Sequence, residues 1–218
     1  MVTLSEDQRK KFIIEHTVIA SPSLVPEIKL HLATEVTPLW QAKATLLEAS
    51  NIDPPYWAFA WPGGQALARY ILDYPETVRK KSVFDFGAGS GLSAIAAALA
   101  GAAVSTGNDL DVLAGTAMAM NAVLNNAAII IDQQNHLNQT PEADIIVAGD
   151  MCYERGIAEM ILHWLRRLAR THDVLLADPG RKYAPIDGLK ELSQYDVPTS
   201  LDLEDRLLRP TTVWQLLA

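Results

Sequence analysis

From residue 82 onward, short aliphatic runs alternate with segments of helical periodicity, and this alternation restricts the fold more than any other feature of the sequence. Five runs are rich in Val, Ile or Leu and end in Gly or Asp: "SVFDFG" (82–87), "AVSTGND" (103–109), "AIIID" (128–132), "DIIVAGD" (144–150) and "DVLLAD" (173–178). Helical patterns lie between them at 91–101, 112–126 and 155–170. Strands that are apolar throughout are covered on both faces. The pattern therefore predicts an α/β fold with a doubly wound, Rossmann-like sheet of about seven strands.

The segments that flank this alternation complete one predicted domain. A chain of 218 residues, of which 49% are hydrophobic, is long enough to bury one core. Upstream, "EIKLHLAT" predicts a strand and "GGQALARYILD" predicts a helix. Downstream, a weaker helix at 187–194 is followed by "SQYDVPTSLDL" and "PTTVWQLLA", which we expect to pair as a hairpin at the sheet edge. Residues 1–50 are predicted to be an N-terminal extension packed on a core of residues 51–218.

Composition argues against several classes of protein. The longest uncharged apolar run, "LSAIAAALAGAAV", has 13 residues, whereas a membrane span needs roughly 20. The N-terminus, "MVTLSEDQRKKFIIEH", lacks the apolar core of a signal peptide, so we expect a cytoplasmic protein. The net charge of −8 argues against non-specific binding to nucleic acid. The single cysteine cannot form an internal disulfide, and the five histidines lack metal-ligand spacing, so we expect no metal site.

The first predicted strand runs into the loop "DFGAGSG", where Asp85 is followed by Gly87, Gly89 and Gly91. Glycines at such a turn let the backbone approach a ligand closely, and the first N–H groups of the following helix bind polar atoms. A dinucleotide-binding fingerprint needs its third glycine at position 92, where this chain has Leu92, and this disfavours a nicotinamide enzyme. The G-x-G-x-G spacing instead resembles the cofactor loop of class I S-adenosylmethionine-dependent methyltransferases. The alternative is a purely structural strand-to-helix turn.

Acidic residues at the next two strand ends extend the predicted cofactor site. Asp109 lies 18 residues after Gly91, where a carboxylate at the tip of the second strand accepts hydrogen bonds from both hydroxyls of a ribose. Asp111 is predicted to cap the following helix. At the third strand end, Asp132 or Gln133 is the candidate for binding an adenine amino group, and a solvated strand end is the alternative.

The fourth strand ends in "GDMCYERG", which holds Asp150, the single cysteine Cys152 and Tyr153. In a doubly wound sheet this strand end lies beside the first one, so Asp150 is predicted to face the ligand. A nucleophilic cysteine needs a positioned histidine, whereas His163 lies one turn inside an amphipathic helix. We therefore expect Cys152 to be a bystander. Tyr153 either contacts the substrate or anchors the strand-to-helix turn through its hydroxyl.

Two further segments are predicted to lie at the same edge. Trp57 and Trp61 precede the turn at 62–64, which favours a lid over cofactor or substrate; the alternative is that both are core residues. "ADPGRKY" follows the fifth strand, which makes Arg181 and Lys182 candidates for partner contacts, with an ordinary Pro-Gly turn as the alternative.

Several of these segments are similar to segments of protein methyltransferases. "GDMCYE" has the D-x-x-Y pattern of the seven-β-strand protein methyltransferases related to the lysine methyltransferases of family 16. A narrower resemblance, to the electron transfer flavoprotein β-subunit lysine methyltransferases including their bacterial forms, rests on "PEIKLHLAT", "DPPYWAFAWPGGQALARYILD", "NDLD", "AGDMCYERGIAEMILHWLRR", "DPGRKY" and "TTVW". It extends from about residue 26 to the C-terminus and is weaker in "NQTPEA".

This resemblance implies a class I methyltransferase fold and a monomeric enzyme that uses S-adenosylmethionine as cofactor. It implies methyl transfer to lysine side chains on the β subunit of electron transfer flavoprotein. Asp150 and Tyr153 are then the catalytic candidates, because a carboxylate attracts and orients the amine while an aromatic ring faces methylated ammonium groups. The predicted cofactor-binding residues line the strand ends and the lid: Trp57, Trp61, Asp85, Gly87, Gly89, Gly91, Asp109, Asp132 and Asp150.

Three alternative functions stay open at this stage. A small-molecule N-methyltransferase would use the same cofactor residues with a closed pocket for a metabolite. Another protein, such as a ribosomal protein, would be methylated by the same chemistry. A non-catalytic domain would bind S-adenosylmethionine or a partner protein without turnover.

Overall fold

A mixed β-sheet with helices on both faces forms the centre of the computed structural model, which describes residues 4–33, 36–46, 54–199 and 206–218. The strands of this part of the chain, in order, are β1 (Val18–Ala20), β2 (Leu30–Leu32), β3 (Ser82–Phe86), β4 (Val104–Asn108), β5 (Ile130–Asp132), β6 (Ile145–Gly149), β7 (Asp173–Asp178), β8 (Leu189–Pro198) and β9 (Leu208–Leu216). The helices are α1 (Glu6–His16), α2 (Val36–Leu46), α3 (Pro62–Asp73), α4 (Leu92–Leu99), α5 (Val112–Leu124) and α6 (Arg155–Leu168). Two 3₁₀ turns, Tyr56–Ala58 and Pro75–Thr77, flank α3.

The large sheet has seven strands in the order β5-β4-β3-β6-β7-β9-β8. The five strands from β3 to β7 are parallel, whereas β9 is antiparallel to both β7 and β8. The chain runs outward from β3 through β4 to β5 and then crosses back to β6, so its direction of progress reverses between β3 and β6. This confirms the predicted doubly wound α/β sheet. Ligands of such sheets bind at the carboxyl ends of the strands where the order reverses.

The five central strands and the three helices between them are confirmed, with ends that differ from the predicted ones by one or two residues. The helix predicted at 187–194 is wrong, because Leu189–Pro198 is strand β8. Pairing with β9 along its whole length, with one irregularity between Glu191 and Ser193, outweighs the helical propensity of its Leu, Lys and Glu residues. The predicted hairpin at the sheet edge is confirmed, since β8 and β9 pair there.

Alternate residues of the central strands enter two different apolar clusters, as the period of a strand requires. Ile145 and Val147 of β6 pack in the cluster that includes α3 and α4. Ile146 and Ala148 pack in the cluster on the other face, which includes Trp164 of α6. Both faces of the central strands are therefore buried, which explains why their sequences are apolar throughout.

The N-terminal elements pack against α5 and the turn Tyr56–Ala58. Phe12 and Ile13 of α1 share an apolar cluster with Trp57 and Leu113. The predicted strand in "EIKLHLAT" is β2, which is only three residues long and pairs with β1 outside the large sheet. The predicted boundary between residues 50 and 51 lies outside the described residues. In the part of the chain that the structure describes, no helix is long and apolar enough to cross a membrane.

Candidate active site

The loop after β3 adopts a backbone that glycine alone adopts without strain. Gly87, Gly89 and Gly91 all have positive φ angles, of 68°, 53° and 81°. A Cβ on Gly87 would overlap the sulfur of Met151, and a Cβ on Gly91 would lie 2.8 Å from Cγ of Met118. Methionine side chains thus fill the space that Cβ atoms would need at Gly87 and Gly91, while residues 87–89 are partly exposed at the carboxyl end of β3.

Asp85, the acid that precedes this loop, faces the first turn of α4. Its buried carboxyl accepts a hydrogen bond from the N–H of Ala94 at 3.1 Å, which satisfies one of the unpaired donors at the start of the helix. Burial raises the pKa of Asp85 to about 8, and the nearby charge of Asp109 adds to this effect. The hydrogen bond from Ala94 acts in the opposite direction. Asp85 therefore supports the loop from within the protein, and a direct contact with a ligand stays a prediction.

Asp109 follows β4 and joins the glycine loop to the start of α5. Its carboxylate accepts hydrogen bonds from the N–H groups of Gly89 at 3.0 Å and Asp111 at 2.9 Å. Burial is the main cause that raises the pKa of Asp109. The predicted helix cap is confirmed, because Asp111 accepts from the N–H of Leu113 at 2.8 Å, and it also pairs with Nζ of Lys43 at 2.6 Å.

The residues predicted near an adenine bind neighbouring protein groups, Asp132 in its own loop and Gln133 at the start of α5. Asp132 accepts from the N–H of Gln134 at 2.8 Å and contacts Nε2 of His136 at 2.6 Å. The side-chain amide of Gln133 donates to the carbonyl of Asp111 at 3.3 Å. Both residues lie at the carboxyl end of β5, beyond Asp109, and their contact with adenine stays a prediction.

Asp150 is a buried carboxylate at the end of β6 that joins two other elements. One oxygen accepts a hydrogen bond from the N–H of Gly63 at the start of α3. The other accepts from Nη2 of Arg181 at 2.8 Å and from its Nε at 3.2 Å. Its φ of 56° lies in the left-handed region, which Asp tolerates better than most residues. The positive end of α3 and a guanidinium therefore both stabilise its charge.

Asp178, at the end of β7, is a second buried carboxyl that sequence reasoning missed. Gly149 pairs with Ala177, so Asp150 and Asp178 follow at the same level on neighbouring strands. One Asp178 oxygen accepts from the backbone N–H of Arg181 at 2.6 Å. The other is buried without a hydrogen-bond partner among the described residues, and Asp178 as a whole is only 1% exposed. Burial first, and then the charge of Asp150, raises the pKa of Asp178 to about 6.

The aromatic residues predicted as a lid occupy two different places. Trp57 is buried beside the loop, since its Cα lies 3.5 Å from where a Cβ of Gly89 would be. Its indole nitrogen is buried without a hydrogen-bond partner among the described residues. Trp61 is half-buried, and its ring lies 5.9 Å from the guanidinium carbon of Arg181.

Tyr153 lies at the surface and contacts Tyr56, a residue that the sequence analysis did not select. The two ring centroids are 5.5 Å apart. The carbonyl of Tyr56 also accepts a hydrogen bond from the indole nitrogen of Trp61 at 2.9 Å. Tyr56 therefore connects the predicted catalytic tyrosine to the residue that precedes α3.

The remaining candidates have no contact with the carboxylate of Asp150 among the interactions that the structure describes. Cys152 is fully buried, and burial, followed by the charges of Asp178 and Asp150, raises the pKa of its thiol to about 12. A thiol of this kind is a poor nucleophile, which supports the bystander role. His163 is exposed on α6, and Nζ of Lys182 lies 5.5 Å from the ring centre of its neighbour Tyr183.

Comparison with known proteins identifies relatives that extend over almost the whole chain. Residues 66–170 match the family model described as ribosomal protein L11 methyltransferase. The chain is 40% identical over 213 residues to the electron transfer flavoprotein beta subunit lysine methyltransferase of Xenopus laevis, which covers 94% of this chain and 85% of that protein. It is 41% identical over 216 residues to the protein of the same name from Homo sapiens, covering 94% and 80% respectively.

A solved structure has the same fold at low sequence identity. Magnesium protoporphyrin IX methyltransferase from Synechocystis PCC 6803 with bound SAH has a TM-score of 0.54 and 13% identity, and the match covers 84% of this chain and 95% of that chain. This likeness confirms the class I methyltransferase fold.

Replacing Gly63 with Ala should destabilise the protein by about 1–3 kcal/mol. The added Cβ would lie 2.6 Å from both the carbonyl of Ala177 and the carboxylate of Asp150, so α3 would be pushed away from the sheet. Gly64→Ala is the matched control, because its Cβ meets nothing within 4 Å and should stabilise the helix by about 0.4–1 kcal/mol. Urea unfolding of the three proteins measures both effects. Equal stability of Gly63→Ala and wild type would contradict this packing.

Asp85→Asn should gain stability relative to wild type as pH rises. The folded-state pKa of about 8 lies above the ordinary value of 3.8, so wild type loses stability between these values as the unfolded chain ionises and the folded protein does not. The difference in unfolding free energy should grow by up to about 1.4 kcal/mol per pH unit and level off above pH 8. Urea unfolding at pH 5 to 9 measures it.

Asp144→Asn is the control for this titration. Hydrogen bonds from Ser82 lower the pKa of Asp144, so its contribution is complete above pH 5 and is lost only in acid. The difference between Asp144→Asn and wild type should therefore be constant from pH 5 to 9. A constant difference for Asp85→Asn as well would mean that Asp85 is ionised in the folded protein.

Proposed function

Because this chain belongs to the family of electron transfer flavoprotein β-subunit lysine methyltransferases, we propose that it transfers methyl groups from S-adenosylmethionine to lysine side chains on the β subunit of an electron transfer flavoprotein. The observation that carries this proposal is the position of Asp150. It is a buried carboxylate at the topological reversal of the sheet, after the strand that pairs with β3 and three residues before the exposed Tyr153.

The residues around the loop fit S-adenosylmethionine. Residues 87–89 of the loop are partly exposed, so their backbone is accessible for close approach of a ligand. The carboxylate of Asp109 lies at the next strand end, where an acid accepts hydrogen bonds from ribose hydroxyls. The buried indole N–H of Trp57, without a protein partner among the described residues, is a donor suited to a ligand oxygen. When bound, S-adenosylmethionine supplies an electrophilic methyl group on its sulfonium.

The proposed role of Asp150 is to position the lysine amine. A lysine ammonium with a pKa near 10.4 must lose a proton before its nitrogen lone pair can attack. S-adenosylmethionine held at the glycine loop and Asp109 would supply the methyl group to this lone pair, and the electron pair of its C–S bond would stay on sulfur. Hydrogen bonds from Arg181 and Gly63 fix the side-chain conformation of Asp150. The carboxylate therefore holds the incoming amine in one orientation. Tyr153 and Trp61 provide aromatic surface beside it.

An exposed aromatic surface at the site favours a macromolecular substrate over a metabolite. Tyr56 and Tyr153 are exposed at the sheet edge, whereas a metabolite enzyme encloses its substrate in a pocket. The net charge of −8 is suited to a lysine-bearing segment and unsuited to nucleic acid. We propose that the enzyme acts as a monomer in the cytoplasm on this protein substrate.

The direct test is transfer of labelled methyl groups from S-adenosylmethionine to purified electron transfer flavoprotein, with mass spectrometry of its β subunit. Mass increments of one methyl group on lysine residues are the expected result. If calorimetry detects S-adenosylmethionine binding while the β subunit gains no mass, the substrate assignment fails and the cofactor assignment stands.

Asp150→Asn should lower the turnover number for methyl transfer by about 10²-fold, because the isosteric amide lacks the charge that attracts the amine. Asn tolerates the left-handed backbone at this position, but its amide nitrogen cannot replace both acceptor oxygens that face Gly63 and Arg181, so turnover is compared per folded molecule. Cys152→Ala is the control and should turn over at a rate close to wild type per folded molecule. Full activity of Asp150→Asn would refute the positioning role, and complete loss of activity in a folded Cys152→Ala would refute the bystander role.

A further inference from the structure

Helix α2, in the N-terminal part of the chain, packs against the elements that form the predicted cofactor site. Leu39 of this helix is 2% exposed and shares an apolar cluster with Trp57 and Leu113. Trp57 lies beside Gly89 of the glycine loop, and Leu113 belongs to the first turn of α5. The helix is therefore fixed against both the glycine loop and the helix that follows β4.

One turn after Leu39, α2 places a buried cation at this site. Lys43 is only 4% exposed, and a lysine is almost never fully buried unless it is paired. Its Nζ lies 2.6 Å from a carboxylate oxygen of Asp111, whose side chain is 25% exposed. Burial of an ammonium is costly, and an apolar side chain would serve the packing of the cluster as well. The charge at this position therefore needs a reason other than packing.

A continuous series of hydrogen bonds leads from Lys43 to the glycine loop. Asp111 accepts from Lys43 at 2.6 Å with one oxygen and from the N–H of Leu113 at 2.8 Å with the other. The N–H of Asp111 donates to one oxygen of Asp109 at 2.9 Å, and the N–H of Gly89 donates to the other at 3.0 Å. A carboxylate oxygen that accepts one such bond can accept another from a ligand hydroxyl. Lys43 is thus linked to the candidate ribose acceptor through one intervening residue.

Lys43 also offsets the negative charge at this strand end. Asp85 and Asp111 are the acids that interact with Asp109. Burial raises the pKa of Asp109, and the charge of Asp111 adds to this effect. The hydrogen bonds from Asp111 and Gly89 and the charge of Lys43 lower it. Without Lys43, Asp109 would bind a proton at a higher pH and would then accept fewer hydrogen bonds from hydroxyl groups.

We propose that Lys43 is a positioning residue of the cofactor site, which acts through Asp111 to keep Asp109 in the charged and oriented form that accepts the ribose hydroxyls of S-adenosylmethionine. Helix α2 is then part of the cofactor site and not only a cover for the core. The proposal rests on the S-adenosylmethionine site of the proposed enzyme and does not depend on which protein accepts the methyl group.

The first test is calorimetry of S-adenosylmethionine binding in the absence of a methyl acceptor. Lys43→Met keeps a long apolar side chain without the ammonium, and water can reach the partly exposed Asp111, so the variant should fold. Its Kd for S-adenosylmethionine should rise by about 5- to 30-fold, within the usual range of coupling between two sites. Lys43→Arg keeps the charge and should restore most of the affinity. Wild-type affinity in Lys43→Met would overturn the proposal.

Glu27→Gln is the matched control. Glu27 pairs with Arg69 of α3 at 2.7 Å, so this variant also removes an ion pair between the N-terminal part of the chain and the core. Neither residue takes part in the described hydrogen bonds that lead to Asp109. The Kd for S-adenosylmethionine should therefore stay at the wild-type value. If Glu27→Gln weakened binding as much as Lys43→Met, the effect of Lys43 would be one of general stability and the proposal would fail.

Asp111→Asn tests the same ion pair from its other side. The amide oxygen of Asn can still accept from the N–H of Leu113, so the helix cap is kept while the charge that faces Lys43 is removed. The double variant should bind S-adenosylmethionine no more weakly than Lys43→Met alone, because both changes break one ion pair. Losses of affinity that add in the double variant would show that Lys43 does not act through Asp111.

A pH series with adenosine gives a result that a purely structural role would not produce. Adenosine contains the ribose and has no group that titrates near neutral pH. Its affinity should fall toward acid as Asp109 binds a proton, and this fall should begin at a higher pH in Lys43→Met, since Lys43 lowers the pKa of Asp109. Identical pH profiles would contradict the proposal. Neither binding experiment involves the flavoprotein, so failure to methylate it would refute the substrate assignment and leave this test intact.

Discussion

The hydrogen bonds of Asp150 connect three elements that the rest of the site needs in one place. Its carboxylate binds the first turn of α3 through Gly63 and the turn after β7 through Arg181, while its own backbone ends β6. Without the carboxylate, an N–H at a helix start and a largely buried guanidinium would both lose a partner. Buried groups left unpaired in this way are costly. The same interaction therefore fixes the sheet edge and the orientation of the Asp150 carboxylate.

The carboxyl groups of Asp150 and Asp178 lie at neighbouring strand ends but accept hydrogen bonds from different donors. Arg181 directs its guanidinium to Asp150 and its backbone N–H to Asp178, so one residue serves both acids. Asp150 has two strong donors, whereas burial and the charge of Asp150 raise the pKa of Asp178 to about 6. Environments that shift the pKa values of two adjacent carboxyl groups apart are common at catalytic sites. The two acids therefore differ in their pairing, since both oxygens of Asp150 accept hydrogen bonds while one oxygen of Asp178 is buried without a partner among the described residues.

The sequence was most informative where burial determines structure. The central strands were predictable because both of their faces are covered, and the strand ends because Gly or Asp follows each apolar run. Residues 189–194 of strand β8 were not predictable as a strand, since their Leu, Lys and Glu residues favour a helix and pairing with β9 outweighs that preference. Asp178 ends β7 and Asp150 follows β6 directly, so the same signal was present, but only Arg181 and Lys182 of this segment were selected as candidates. Which of the five strand-end acids bind protein groups depends on neighbouring elements that no local pattern encodes.

The adjacent residues Tyr56 and Trp57 also show that a local pattern does not determine which protein groups a side chain contacts. In "PPYWAFAW", both Tyr56 and Trp57 are aromatic, and nothing in their spacing says which one faces the ligand. The 3₁₀ turn points successive side chains about 120° apart. Trp57 enters the core beside Gly89, and Tyr56 is left at the surface against Tyr153. A single three-residue turn thereby places one aromatic side chain beside the glycine loop and its neighbour against Tyr153, so the two positions share one backbone segment.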